Sequence, residues 1–523
     1  MQSHPNLLAV LGSNNRCTGA TAAAGATLFA LIGLATFSAC TEDAPQLFTL
    51  DDVATQGDDG AQGDTGTQSD NDTLSGTQSD AGTLSDAGAD ARAPTPAPSV
   101  FDALFAALLA DLEAQPAEQR PFTRYLGLGH RRLAGASEAE LRVERAALSL
   151  ALNSTSTRAE LVPAVAVDAE ASLYRIDLRA YGWDRELEVA ATPQRDGWEA
   201  VIAGNPYAIA FSGSEADELA RLANTAVPFV YAEVAVRALA NGDVYHALAS
   251  VPVTLDSDPL PWGIDRAAMS QDLEVVRAGN WIGAHIASDE DVRLDRYLSP
   301  QTSLPVWLSS GSFAGGDASI FDDPFEFGRD ETFVAFSLPN GLLGYGIYDP
   351  NGERRTASEV LPKIQNPSSC FGCHVEGPVR MVDMVRDVVE ANPGEFSPDT
   401  VEAFAAVYPP QEELDALFAG DQSAYRAQLT RLGVPGELGA DVIPTTIDQF
   451  ERPLSLAQAA AELGVEPERL SSSLGRLAPE LAGLAGGLEV SRSDFSRVFS
   501  ASLCALYADA PRHRPVTASC PRR

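Results

Sequence analysis

The sequence predicts an α+β fold that is predominantly helical, with a mixed region of helices and antiparallel strands before a second, helical region. Helical spacing of apolar residues begins near residue 100 and returns after residue 378. Between these stretches, residues 331–355 contain two β-rich runs joined by a turn sequence. We expect region boundaries at 99–360 for the mixed region, 361–440 for the helical region with a cysteine motif, and 441–523 for a C-terminal helical region.

Residues 1–39 predict an export signal rather than part of the fold. Arg16 is the only formally charged side chain in this segment, and residues 20–39 form an apolar stretch rich in small residues. These are the parts of a secretory signal peptide. The ending FSAC (37–40) resembles a bacterial lipobox, which implies that Cys40 is lipidated. An uncleaved anchor is the alternative, because about twenty apolar residues can span a bilayer.

Residues 40–98 predict a disordered acidic tether. GTQSDNDTLS (66–75) is followed by the near-repeat GTQSDAGTLS (76–85), and Arg92 is the only basic residue of the segment. A polar, acidic chain with few aromatics cannot bury enough apolar surface to offset the entropy lost on ordering. By resemblance to lipoprotein sorting, Thr41 and Glu42 after the lipidated cysteine imply an outer-membrane lipoprotein that faces the periplasm or the cell surface.

The mixed region begins with two predicted helices. FDALFAALLADLEAQ (101–115) has apolar residues at helical spacing, and a second helix follows a capping box formed by Ser137 and Glu140. Residues 171–183 then alternate apolar and polar side chains, which predicts a half-buried strand.

A hairpin is predicted within residues 331–355. Two β-rich runs flank Pro339-Asn340-Gly341, and a second turn, Asp-Pro-Asn-Gly, follows at 349–352. We expect a small antiparallel sheet that ends near residue 360.

The remaining chain is predicted to be helical. Residues 454–477 have the pattern of a helix-turn-helix, which we interpret as core packing, because the net charge of −37 repels nucleic acid. The expected helices are 378–392, 398–407, 410–432, 455–463, 467–475 and 494–507.

The cysteine motif is Cys370-Phe371-Gly372-Cys373-His374. In haem c attachment, two thiols with this spacing form thioethers to the haem vinyl groups. The adjacent histidine is then held under the iron as the proximal ligand. The motif therefore predicts one covalent haem c on Cys370 and Cys373, with His374 as the metal ligand, in the region 361–440.

Two other readings of the motif are weaker. A structural zinc site needs four ligands, and Cys504 and Cys520 are too far apart in sequence to form a second Cys-x-x-Cys pair. A thioredoxin-type dithiol requires a strand-to-helix step of a βαβ unit, and no such pattern precedes Cys370.

Six phrases occur in this order along the chain: TRYLGLGH (123–130), LNSTS (152–156), LYRIDLRAYGW (173–183), VRAGN (276–280), FSLPNGLLGYGIYDPNGER (336–354) and SSCFGCHVEG (368–377). Together they resemble a family of large, exported c-type cytochromes of environmental bacteria. The resemblance implies one haem c and a periplasmic or surface setting, and the family's site residues carry over only to Cys370, Cys373 and His374. Small class I cytochromes c place a distal methionine tens of residues after the haem motif, whereas this chain has no methionine after Met384.

The sixth iron ligand stays open at this point. Met381 and Met384 fall in the helix predicted after Pro378, where core packing is the simpler role. An open or water-bound iron is a further alternative, and it would permit chemistry with peroxide or oxygen. The histidine candidates are His130, His246 and His285.

The sequence therefore predicts electron transfer at the outer membrane, with a redox protein or small electron carrier as partner and no nucleic acid. The alternatives are a haem-dependent peroxidase or oxidase and a non-catalytic binding module stabilised by haem. An electron-transfer protein is favoured over an enzyme.

Cys504 and Cys520 flank a proline-containing stretch at the C-terminus. In an oxidising compartment, cysteines at this spacing are expected to form a disulfide.

Overall fold

The computed structural model describes residues 99–255, 264–280, 292–311, 319–325, 327, 330–359, 361, 363–510, 512–518 and 520. All of them belong to one compact unit, Arg92–Arg523. The predictions for residues 1–98, which include Cys40, and for His285 lie outside the described residues. The described part has a mixed α+β architecture.

The helices before the cysteine motif, α1–α9, are Val100–Ala114, Gly129–Leu133, Glu138–Ser154, Leu178–Tyr181, Gly197–Ile202, Ser214–Leu222, Ala232–Leu239, Gly242–Leu248 and Arg266–Gln271. Those from the motif onward, α10–α17, are Ser368–Cys373, Val385–Ala391, Pro398–Val407, Gln411–Arg431, Val442–Glu451, Leu456–Glu462, Pro467–Ser473 and Arg492–Tyr507. Short 3-10 turns lie at Arg120–Phe122, Gly439–Asp441, Leu474–Arg476 and Pro479–Gly486.

The strands β1–β7 are Thr123–Gly127, Val165–Ala166, Leu173–Asp177, Leu187–Val189, Thr192–Gln194, Ala210–Ser212 and Phe229–Tyr231. The strands β8–β14 are Val275–Asn280, Val292–Leu298, Pro305–Gly311, Glu331–Ser337, Leu343–Tyr348, Arg354–Arg355 and Arg514–Val516. They form a four-stranded sheet in the order β2-β3-β1-β7, a six-stranded sheet in the order β13-β12-β11-β10-β9-β8, and the pairs β14-β6 and β4-β5.

Both N-terminal helix predictions are confirmed. The side chain of Ser137 accepts a hydrogen bond from the Glu140 N–H, which completes the expected capping box. The strand predicted over 171–183 is too long, because it covers only Leu173–Asp177. Asp177 ends it by accepting a hydrogen bond from the Arg179 N–H, which starts the helix α4.

The predicted hairpin is confirmed as the pair β11 and β12, which belongs to an antiparallel sheet of six strands. Gly341 at the turn has φ +81°, a conformation that strains residues with a Cβ. The turn side chain of Asn340 is buried and donates to the carbonyl oxygen of Asn153 in α3. The hairpin is thereby attached to the N-terminal helical layer.

The helix predicted over 378–392 begins seven residues later, at Val385. Both carboxylate oxygens of Asp383 accept backbone N–H bonds, one from Gly279 of β8 and one from Arg386. Asp383 stands directly before the N-cap residue Met384, and its carboxylate accepts hydrogen bonds from N–H groups of the first turn of α11. The helix α14 was not predicted, because Pro444 and polar residues interrupt its apolar spacing.

Two apolar cores hold the described residues together. One packs the six-stranded sheet against α3, α7 and α10–α14. The other packs α1 and α6 against α15–α17, so that the two ends of the described chain share one core. The pattern at 454–477 is core packing, as expected, since Ala459, Leu463 and Leu470 are fully buried.

The C-terminal segment is held by a disulfide between Cys504 and Cys520, which confirms the predicted pairing. Strand β14 also pairs with β6. None of the helices in the described part of the chain is long and apolar enough to cross a bilayer.

Candidate functional site

The motif occupies the short helix α10. Cys370 and Cys373 are three residues apart in this helix, so their side chains project from the same face. Phe371 points the other way and is buried, with edge-on contacts to Tyr245 and Tyr345 at ring-centroid distances of 6.4 and 5.3 Å. The buried phenylalanine thus fixes the direction in which the two thiols point.

His374 follows at the end of α10. Its Nδ1 lies 3.1 Å from the carbonyl oxygen of Gly377, which sets Nδ1 as the donor and leaves Nε2 as a free lone pair. Gly377 has φ +124°, a conformation suited to glycine, and it allows the chain to turn back on the histidine. The ring also packs against Tyr345 of β12, with centroids 5.4 Å apart.

A cavity of about 450 Å³ lies beside the motif. Cys370, Cys373 and His374 all line it, so the structure brings the three predicted site residues to one wall. The volume falls within the range of about 300–1,000 Å³ typical of sites for organic ligands.

One face of the six-stranded sheet forms a wall of the cavity. Residues of four strands, β9 to β12, contribute to this wall. The register aligns Leu294, Ser309 and Phe333 in one row and Trp307, Ala335 and Tyr345 in a second row, two residues away along each strand. Side chains two residues apart on a strand share a face. All six residues line the cavity, and Ser309 supplies the only aliphatic hydroxyl among them.

The helix α13 closes another side. Its Phe418 lines the cavity and stacks on Trp307, with ring centroids 4.7 Å apart and an interplanar angle of 12°. Asp421, one turn further, accepts hydrogen bonds from Trp307 Nε1 and from Nε and Nη2 of Arg296, all at 3.0 Å. This network of a tryptophan, an arginine and an aspartate fixes α13 against the sheet.

The surroundings favour uncharged side chains in the motif. Burial raises the pKa of the Cys370 thiol to about 12, and partial desolvation raises the pKa of Cys373, which is exposed at the mouth of the cavity. Burial lowers the pKa of His374, opposed by the hydrogen bond to Gly377. Neutral imidazole is the form that binds iron. The raised thiol pKa values are the opposite of the lowered values found in dithiol oxidoreductases.

No protein-family model, curated protein or solved structure matches this chain. The assignment of the site therefore depends on its own geometry.

The four described candidates for the sixth ligand are in different places. Met381 is buried and lines the cavity, whereas Met384 does not. His130 is buried elsewhere, bonded through Nε2 to Glu233 and packed against the ring of Tyr231. The structure therefore brings one of the four to the motif.

His246 also lies outside the cavity lining, although it contacts the motif indirectly. Its Nε2 accepts a hydrogen bond from Nδ2 of Asn366 at 2.8 Å, and burial lowers the pKa of the imidazole to about 3. Oδ1 of Asn366 lies 3.9 Å from the Cys370 sulfur. His246 is thus a neutral residue that supports the start of α10.

The donor set at the motif is compatible with a haem attached through two thioethers, and in the part of the chain that the structure describes it lacks the four ligands of a structural zinc site. The two thiols and one imidazole lie on the wall of an apolar cavity, which suits a flat macrocycle. Among the described residues, no group of three or more His, Cys, Asp and Glu side chains could hold a metal ion, whereas structural zinc requires four ligands. Cys504 and Cys520 are joined to each other.

Sequence reasoning missed the residues opposite the motif, above all Trp307 and Phe418. They are 111 positions apart in the sequence, and neither belongs to a motif. The available signal was that Trp307 lies in a short β-rich run, PVWLSS (305–310), next to the predicted hairpin.

Proposed function

We propose that this protein is a c-type cytochrome with one covalent haem, held by Cys370 and Cys373 and ligated by Nε2 of His374. The observation that carries the proposal is the placement of these three side chains together on the wall of one apolar cavity of about 450 Å³. Such a haem supplies one-electron exchange through its iron.

The residues of the cavity have distinct roles in this proposal. The hydrogen bond from His374 Nδ1 to Gly377 orients the imidazole and increases the basicity of Nε2. Trp307 and Phe418 form a stacked aromatic wall of the cavity, which would exclude water from a haem bound there. An apolar surrounding favours the iron state of lower charge and so raises the reduction potential.

We further propose that the protein belongs to the large exported cytochromes whose motif phrases it resembles, and that it transfers electrons at the outer membrane. A lipid at Cys40 and the acidic segment that follows would hold the haem unit near the membrane surface. The partner is a redox protein or a small electron carrier. Membrane fractionation of a Cys40→Ala variant tests the anchor, and equal membrane retention of the variant would contradict it.

Haem staining after denaturing electrophoresis tests the covalent attachment. The protein is expressed in a host that matures c-type cytochromes. We expect a stained band for the wild type, a weaker band for Cys370→Ala or Cys373→Ala, and none for the double variant. The matched control is Cys504→Ser with Cys520→Ser, which also removes two cysteines and should keep full staining. Staining that persists in the Cys370/Cys373 double variant would contradict the proposal.

A further inference from the structure

We propose that the thioether sulfur of Met381 is the sixth ligand of the iron, an inference that rests on the proposed haem c function. It assigns a methionine to the position that the motif itself leaves open. Three independent features of the structure carry it: the chemistry of the cavity lining, the path of the chain after His374, and the positions at which this path is attached to the sheet.

The lining of the cavity offers few groups that bind iron. Cys370 and Cys373 are used by the thioethers, and His374 is the proximal ligand. Of the other described lining residues, Met381 alone carries a donor of the kind used as an axial ligand in cytochromes c. Tyr345 also lines the cavity, but its ring packs against the ring of His374 and so belongs to the proximal side.

The backbone after the motif presents Met381 to the cavity. Residues 378–384 are not helical, and Val379 and Met381 line the cavity while Arg380 and Val382 are exposed. This alternation is the period of an extended chain, in which every second side chain shares a face. Met381 is 5% exposed, although both neighbours in the chain face solvent.

The helix α13 holds the segment that contains Met381. Nε2 of Gln422 donates to the carbonyl oxygen of Pro378 at 2.9 Å, and Nε2 of Gln411 donates to that of Met381 at 3.2 Å. Gln411 is the first residue of α13, and Gln422 lies near its middle. Residues 378–381 therefore run alongside the N-terminal half of α13, away from His374 and towards the start of this helix.

The six-stranded sheet shows where the two ends of this segment are attached. His374 packs against β12 through Tyr345, whereas the residues next to Met381 are attached to β8. The Met384 N–H donates to the carbonyl oxygen of Gly279 at 2.8 Å, and Nδ2 of Asn280 donates to that of Val382 at 3.3 Å. Strands β12 and β8 are four positions apart in the sheet, about 19 Å. His374 and the segment that follows Met381 are therefore attached to strands far apart in the sheet, and both residues line the cavity between these attachments.

Spectroscopy of the matured protein tests the assignment. We expect ferric wild type to show the near-infrared charge-transfer band of a sulfur–iron bond, and ferrous wild type not to bind carbon monoxide. Met381→Ala should keep covalent haem on a stained gel, lose this band completely and bind carbon monoxide. Met381→His should keep a six-coordinate iron with a lower midpoint potential, because imidazole is the stronger donor to ferric iron.

Met384→Ala is the matched control, since Met384 is three residues away and does not line the cavity. We expect its spectrum and carbon monoxide behaviour to equal those of the wild type. A stained wild type without the sulfur–iron band, or a band that survives Met381→Ala, would overturn the ligand assignment alone. Six-coordination that survives Met381→Ala but is lost in His285→Ala would also overturn it. A wild type without covalent haem would overturn the proposed function as well.

Discussion

Nδ1 of His374 lies 3.1 Å from the carbonyl oxygen of Gly377, three residues further along the chain. This short loop determines which imidazole nitrogen is free, and the free nitrogen belongs to a residue on the cavity wall. The imidazole is thereby held in the orientation that the proposed proximal ligand needs. Its hydrogen-bond partner is a backbone carbonyl, so the position of that partner depends on the conformation of Gly377.

Gly377→Ala should damage this orientation. At φ +124° a Cβ is strained, and it would approach Cα of Gln422 to 3.2 Å. We expect a loss of about 1–3 kcal/mol in the free energy of unfolding and a shifted midpoint potential of the haem. Denaturant unfolding and redox titration measure the two effects. Gly394→Ala is the control, since no atom lies within 4 Å of its added Cβ; equal behaviour of both variants would show that the loop is unimportant.

Trp307→Ala should weaken the wall opposite the motif. The indole stacks on Phe418 and donates to Asp421, so its removal leaves a cavity in the core and an aspartate that loses one donor. We expect a loss of about 3–5 kcal/mol in the free energy of unfolding and a lower midpoint potential, because water reaches the iron. Leu488→Ala, at an exposed apolar residue, should change the stability by less than about 0.5 kcal/mol. A Trp307→Ala variant as stable as that control would argue against the packed wall.

His246 should make the protein sensitive to acid. Burial, with a contribution from Arg354, lowers the pKa of this imidazole from 6.5 to about 3. Between these values the unfolded chain binds a proton that the folded chain does not, so stability falls as the pH drops from 6.5 towards 3. The slope is at most about 1.4 kcal/mol per pH unit. His246→Gln should flatten this fall in chemical unfolding experiments, and an unchanged pH profile would contradict the assignment.

The disulfide between Cys504 and Cys520 should stabilise the C-terminal core without affecting the site. It closes a loop of about 15 residues, for which chain entropy gives about 3 kcal/mol. We expect Cys504→Ser with Cys520→Ser to lower the free energy of unfolding by this amount and to leave the haem content unchanged. Thiol labelling of the unfolded, unreduced wild type should detect no free thiol at either position.

The sequence predicted best those elements that depend on residues close to them in the chain. The hairpin around Asn340 and the helix Pro398–Val407 depend on a turn signal and on capping residues next to them in the chain, and both were predicted. The start of α11 could not be predicted, because Asp383 binds the N–H of Arg386 in its first turn and also that of Gly279, over 100 residues away.

The candidate site likewise has a local part, which could be predicted from the sequence, and a non-local part, which could not. Cys370, Cys373 and His374 form a local motif, and their spacing alone predicts covalent haem attachment. The sheet side of the cavity is assembled by register, which places Trp307 and Tyr345 on one face through hydrogen bonds between the three strands β10, β11 and β12. Alternation in a strand identifies two faces, but only the tertiary structure decides which face meets the motif.

The most direct test of the account is the intact mass of the matured, purified protein, measured before and after proteolysis. We predict that the mass of the polypeptide is increased by that of one haem, and that the added mass is found on the peptide that contains Cys370 and Cys373. A polypeptide mass without haem, from cells that attach haem to a control cytochrome, would contradict the central claim.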